Sequence, residues 1–230
     1  MLSRDGYIGL KDFPGMTIAA FEERGWLYHG RVTIDKNPQV QALRTKSKGL
    51  LFSQMEKDSM WSRPALADYI LIFRKPGNNA TPVQPDITRQ EWILWARGVW
   101  YAADYLPGTF VDNGGNIKSG SGSEEYGIRE TDTLQFTTAR DPDDERHICP
   151  LQLGTIERCI RLWSNPGETV LSPFAGSGSE GYQAIKLGRH FVGCELKEEY
   201  WRVARRNLTQ AEAELGSVTL FDIATLDAAA

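Results

Sequence analysis

The sequence predicts an α/β fold in which strands and helices alternate. Two observations predict it. Near the C-terminal end a short apolar strand, 169–172, runs into a glycine-rich turn, a helix and a second strand that ends on an acid, Glu195. The N-terminal third likewise alternates helical and strand periodicity. Apolar residues make up 41% of the 230, enough for a packed core.

Taken in order, residues 13–24 have a helical pattern, with Asp12 placed to cap it, Pro14 in its first turn and Gly25 to end it. Residues 26–34 alternate as a strand. Residues 38–58 read as helix with a break near Gly49, and 68–74 as a strand closed by Pro76 and Gly77. The stretch 77–146 differs in texture. It holds Pro82, Pro85, a flexible Gly/Ser-rich run at 114–123, and the aromatics Trp92, Trp95, Trp100, Tyr101 and Tyr105. Those aromatics suit either a small satellite core or a platform for unstacked bases. From 147 the alternation returns: a helix at 153–163, a turn at Asn165, Pro166 and Gly167, the strand 169–172, a helix at 180–187, a strand at 190–195 and a helix at 200–208. The expected organisation is therefore 1–76, an insertion at 77–146, a second part of the same domain at 147–215, and a tail at 216–230.

Composition excludes several classes. No run approaches the roughly 18 apolar residues of a membrane span, and the N-terminus is not of signal-peptide type. We therefore expect a cytoplasmic protein. Cys149, Cys159 and Cys194 are too widely spaced for a zinc site or a disulfide framework and read as reduced thiols; no metal is expected. Net charge is −4, yet between Arg24 and Pro76 ten Lys or Arg face four Asp or Glu, a local excess of six. Such a face suits phosphate binding, and a solvated surface accounts for it equally well. None of the three histidines sits in a nucleophile–base motif.

The glycine turn carries the functional argument. Gly176, Gly178 and Gly181 let backbone approach a ligand and open a helix N-terminus, and Glu195 is placed to accept hydrogen bonds from a ribose diol. This is an adenosine-cofactor layout. A nicotinamide cofactor fits the glycine spacing, but only 35 residues follow Glu195, too few for a second mononucleotide half downstream.

The segment from Ser172 through Pro173, Phe174, Ala175, Gly176, Ser177 and Gly178 to Ser179 resembles the D-P-F-x-G-S-G-T signature of DNA amino-methyltransferases. The stretch 186–196, with Glu199, Tyr200 and Asn207, continues the likeness. His147 to Pro150 resembles the H-P-A-x-F-P segment of the permuted beta group, and 69–77 resembles that family's E-Y-I-L-x-F-x-K-P-G strand; the whole is most similar to phage and prophage methylases. The resemblance implies a Rossmann-like, S-adenosyl-L-methionine-dependent fold with an inserted target-recognition region at 77–146. It implies methyl transfer to an exocyclic amine of adenine or cytosine in DNA, as in restriction-modification. It implies cofactor contacts from His147, Pro150, Pro173, Phe174, Gly176, Gly178, Ser179 and Glu195. The basic run of Arg44, Lys46 and Lys48 is assigned to DNA phosphates, with a solvated helix face as the alternative.

Ser172 and Ser179 stand where the family has Asp and Thr, and no Pro-Pro pair occurs anywhere in the chain. The family's catalytic Pro-Pro-Tyr/Phe segment would precede the first helix, so the fold is expected to be N-terminally incomplete, with catalytic residues unknown. Activity would then depend on an upstream segment or a second polypeptide. The rival expectations are a non-catalytic cofactor- or DNA-binding subunit and a nicotinamide oxidoreductase.

Overall fold

The computed structural model describes residues 2–4, 7–36, 38–84, 86–101, 109–111, 117–119, 127–129, 132–134 and 151–216. They fall into two compact units, one of 1–80 with 93–127 and one of 81–92 with 128–230.

The first unit is built on a three-stranded sheet. After a hairpin of β1 (Leu2–Arg4) and β2 (Tyr7–Gly9), α1 (Phe13–Glu22) starts where the Asp12 carboxylate accepts from Gly15 N at 3.1 Å. Gly25, at φ 80°, turns the chain into β3 (Leu27–Ile34). α2 (Pro38–Thr45) and α3 (Phe52–Lys57) follow, each trailed by a short 3-10 turn, and β4 (Asp68–Arg74) returns antiparallel to β3. The break expected near Gly49 is real: helix stops at Thr45 because Lys46 takes a left-handed φ of 51°. Val32 and Ile34 of β3 point into the core, and Phe21 of α1 stacks on Phe73 of β4 at 4.5 Å.

α4 (Arg89–Trp95) opens on a reciprocal cap, Thr88 N donating to Glu91 Oε2 and Glu91 N to Thr88 Oγ1. β5 (Val99–Trp100) then pairs parallel with β3. Trp100 is 1% exposed and its indole N–H donates to Trp95 O at 2.9 Å. Trp95 and Trp100 are thus core of the main sheet, not a satellite cluster and not a platform for bases. Composition places a boundary at 77, yet β-pairing places 93–101 in the first unit. β6 (Thr109–Val111) and β7 (Ile117–Ser119) form a hairpin; the Gly/Ser-rich run around them and the tail at 216–230 lie almost wholly outside the described residues.

The second unit contains α5 (Leu153–Trp163), β8 (Thr169–Ser172), α6 (Ser179–Lys186), β9 (His190–Gly193) and α7 (Glu198–Gly216). β8 and β9 are parallel, as a strand–helix–strand crossover requires. One face of this ribbon is covered: Val170 and Phe191 pack against Ile156, Ile160 and Ala184. α7 runs eight residues past its expected end at Leu208, since Ala211 continues the buried stripe of Val203, Ala204 and Asn207.

Residues 81–92 belong here because a polar lock binds them. Arg189, its side chain fully buried, donates to Asp86 Oδ2 at 3.0 Å, to Ser164 O at 2.7 Å and to Leu187 O at 2.7 Å. Arg161 reaches Asp86 O and Glu91, and Asn165 Oδ1 accepts from Gln84 N. The Arg189 hydrogen bond holds the Asp86 carboxyl below its ordinary pKa. Arg189→Ala strips partners from the part-buried Ser164 and Leu187 carbonyls and leaves a cavity where the buried guanidinium was, an expected cost of about 2–4 kcal/mol. The melting temperature should fall by roughly 5–15 °C in a calorimetric scan. Because folding lowers the Asp86 pKa, its ionic contribution is present above the unfolded-state titration near pH 4 and fades below it. The stability gap between parent and Asp86→Asn should accordingly close as pH falls from 6 to about 3; a gap unchanged at pH 3 would refute the ionic account.

Candidate functional site

The site begins where β8 and β9 end. Their register, Thr169 opposite His190 through Ser172 opposite Gly193, brings both carboxyl ends to one edge. The pairing continues past the strands: Cys194 N donates to Ser172 O at 2.9 Å and Ala175 N to Cys194 O at 2.8 Å. The Gly-rich turn and the Glu195 turn are thereby stitched side by side.

Within the turn the glycines do different work. Gly176 sits at φ 52°, and a Cβ there would meet nothing within 4 Å. It is the open side, where a ligand can come against bare backbone. Gly178, at φ 84°, caps α6, and its N–H donates to Ala175 O at 2.7 Å. A Cβ on Gly178 would come within 3.1 Å of Ala204 Cβ and Leu208 Cδ1 of α7. One on Gly181 would strike the Phe191 ring at 2.5 Å and Leu208 at 2.8 Å. Gly178 and Gly181 therefore serve close packing of α6 on α7 and β9, while Gly176 alone of the three faces open space.

Glu195 is the centre of the arrangement. It is half-buried; its Oε2 accepts from Gly176 N at 2.8 Å and its Oε1 from Lys197 N at 2.9 Å. The carboxylate is fixed by one backbone bond on each oxygen. A carboxylate offers about four acceptor directions, so each oxygen retains one for a ligand hydroxyl. Phe174, 85% exposed, and Leu196, 105%, stand beyond the ends of β8 and β9 as bare apolar side chains flanking that polar centre. Pro173 is exposed; Ser172, Ser177 and Ser179 are buried, with Ser177 Oγ 3.4 Å from Ser179 Oγ. Burial pushes the Glu180 carboxyl, in the first turn of α6, above its ordinary pKa. Burial likewise pushes the Cys159 thiol up to about 12, which leaves it protonated and inert.

Two residues that enter the sequence reading only as part of the family likeness acquire a definite role here. Asn207 Nδ2 donates to Ser177 O at 2.8 Å in a buried contact, tying the turn to α7. An Asn inside an otherwise strong helix-former run was the available signal. Leu196 gave none, because apolar residues are common after strands. His147 and Pro150 lie outside the described residues, as does the Arg44 side chain; Lys46 and Lys48 are exposed at the end of α2 in the first unit.

The family model described as DNA methylase matches residues 7–206. Type II methyltransferase M1.MboII of Moraxella bovis is 47% identical over 66 residues, 29% of this chain and 25% of that protein. Type II methyltransferase M.BglI of Bacillus subtilis is 26% identical over 142 residues, 61% of this chain and 30% of that protein. Among solved structures, TTHA0409 of Thermus thermophilus, described as a putative DNA modification methylase and solved with S-adenosyl-L-methionine, superposes with a TM-score of 0.56 at 18% identity. That match covers 92% of this chain and 65% of that one, and it establishes the α/β fold. The matched stretches are thus a quarter to a third of the two curated relatives.

Proposed function

The chain belongs to the N6/N4 DNA methylase family, and on that premise we propose that it binds S-adenosyl-L-methionine at the β8–β9 edge for methyl transfer to an adenine or cytosine amine in DNA. The observation that carries the cofactor assignment is the Glu195 carboxylate, held by Gly176 N and Lys197 N beside a glycine whose Cβ position is open.

The residues present fit the group. Glu195 would accept the ribose hydroxyls with its remaining lone pairs. The bare backbone at Gly176 would lie along the methionine portion, and Phe174 and Leu196 would supply apolar contact to the adenine. When bound, S-adenosylmethionine supplies an electrophilic methyl group on a sulfonium. The chain's own part is binding and orientation. A target amine must leave the base stack to be reached, and Lys46 and Lys48, with Arg44, are proposed to hold the flanking phosphates. Target recognition is assigned to the 77–146 stretch. The order of motifs, with the cofactor turn C-terminal, supports the permuted beta group, and the likeness of the whole chain to phage and prophage methylases is the ground for proposing a phage-type enzyme acting on DNA in the cytoplasm. Among the described residues no helix is long and apolar enough to cross a membrane.

The groups that would grip the amine, a Pro-Pro-aromatic tetrapeptide in this family, are not among these 230 residues. A second reading, a cofactor-binding part completed by another polypeptide, is favoured by one observation. Leu171 and Val192, directly opposite in β8 and β9, are 66% and 52% exposed on the ribbon's other face.

Retention of labelled S-adenosylmethionine but not NAD is the expected result of equilibrium dialysis on the chain; the reverse would restore the oxidoreductase reading. Methyl transfer to unmethylated DNA should need a co-expressed segment bearing Pro-Pro-Tyr or Pro-Pro-Phe. Robust turnover without it would place a catalytic group inside this chain.

A further inference from the structure

On the first unit, the segment that follows Lys46 and Lys48 carries more than phosphate contacts. Between α2 and β4 the chain makes an excursion closed at its base. Arg63 N donates to Gly49 O at 3.0 Å and Arg63 Nη2 to Ser47 Oγ at 2.9 Å. Gly49 is pressed against the returning chain, since a Cβ there would sit 3.1 Å from Trp61 O at the end of the second 3-10 turn. A second tie lies below: the Gln41 amide exchanges two hydrogen bonds with the Leu66 backbone, at 2.7 and 2.8 Å. The excursion is a pinned loop of the compact kind that often carries function.

What it displays is unusual. Leu51, Phe52, Met55, Met60 and Trp61 are 44%, 68%, 42%, 80% and 57% exposed, five large apolar side chains within eleven residues. Phe52 and Met55 are one helical turn apart on α3 and share a face. Met60 and Trp61 stand on the 3-10 turn that follows, which the Asp58 carboxylate caps by accepting from Met60 N at 3.1 Å. That cap engages one of only two acids between 46 and 63, while Lys46, Lys48 and Lys57 are all exposed. Exposed apolar groups in such density mark a contact surface. Four Lys or Arg against two acids across 46–63, within the 24–76 stretch whose local excess is six on a chain of net −4, accompany these apolar groups and point to a polyanion with apolar faces.

We infer that the 46–63 excursion is a DNA-binding element, its lysines taking phosphates and its Phe52, Met60 and Trp61 tip packing against bases exposed by an opened stack. The inference rests on the DNA reading above but on different residues from the cofactor site. Apolar wedges and aromatic platforms hold distorted or unpaired bases in this way, and the phosphate contacts supply the salt-dependent part of the affinity.

Fluorescence anisotropy of the whole chain with two labelled duplexes, one intact and one carrying a single abasic site, tests it. The parent should prefer the abasic duplex, where an unpartnered base is available. Met60→Ala with Trp61→Ala should weaken binding to that duplex about tenfold or more and erase the preference. Lys46→Gln, Lys48→Gln and Lys57→Gln together should weaken both duplexes alike and flatten the log–log salt slope by roughly 2–3. Phe52→Ala, on another turn of the loop, provides an independent variant should the double change perturb folding, and it should act in the same direction. S-adenosylmethionine retention should be unchanged in all of them. Affinity of the tip variants within twofold of the parent overturns the inference and leaves the cofactor reading intact. A parent that retains cofactor but binds neither duplex also overturns it. A shift in oligomeric state on Met60→Ala with Trp61→Ala, with DNA affinity unchanged, would make the tip a self-association surface and overturn it as well.

Discussion

Gly178→Val should abolish S-adenosylmethionine binding, measured by calorimetry. The residue lies at φ 84°, where a β-branched side chain is a severe outlier. The left-handed conformation alone costs about 1–2 kcal/mol for a residue with a Cβ. The larger effect is steric. A Cβ would already be 3.1 Å from Ala204 and Leu208, and valine's two methyls have to displace α7. Since Asn207 of α7 holds Ser177 O, a shifted α7 releases the turn that carries Gly176. Gly176→Ala separates the two roles. It meets only the backbone strain and whatever occupies the open side, so it should weaken binding while circular dichroism melting remains close to the parent. Gly178→Val with parental affinity would remove the site assignment.

Glu195→Ala is the second large effect. Two backbone N–H groups, of Gly176 and Lys197, lose a charged acceptor, and the ribose hydroxyls lose theirs. Hydrogen bonds to a charged group contribute roughly 1.5–3 kcal/mol, so affinity should fall on the order of ten- to a hundredfold. Glu195→Gln discriminates charge from shape. It keeps one acceptor oxygen but turns an NH2 toward a backbone N–H that needs an acceptor, so it should bind nearly as poorly as alanine. Calorimetric affinities equal to the parent for both variants would eliminate Glu195 as the ribose anchor.

Much of the local structure was legible. The cap at Asp12, the stop at Gly25 and the strand from 68 to 74 all follow from short-range rules, and the structure places them as read. Where the reading fell short, the deciding contact was remote. Trp100 was indistinguishable in sequence from a loop aromatic; its burial comes from pairing with β3 some 66 residues earlier. The polar lock of Arg189 with Asp86 spans 103 residues, and no local pattern announces it. α7 outruns the helix that periodicity predicts because its second half is rich in charged and polar helix formers, and only Ala211, fully buried, shows the inner face continuing.

The glycine turn shows the same division at the site. Sequence alone determined that a strand, a glycine-rich turn, a helix and an acid-tipped strand follow one another, because each obeys rules of periodicity and backbone freedom within a few residues. It also determined which acid and which glycines to watch. Tertiary structure decided what each one does. Gly176 faces open space, whereas Gly178 and Gly181 face α7 and β9, and Glu195 is locked by two backbone amides before any ligand arrives. The reason is physical: a glycine's spacing in sequence states where a Cβ is missing, but only the packed neighbours, brought in from far along the chain, state what its absence makes room for.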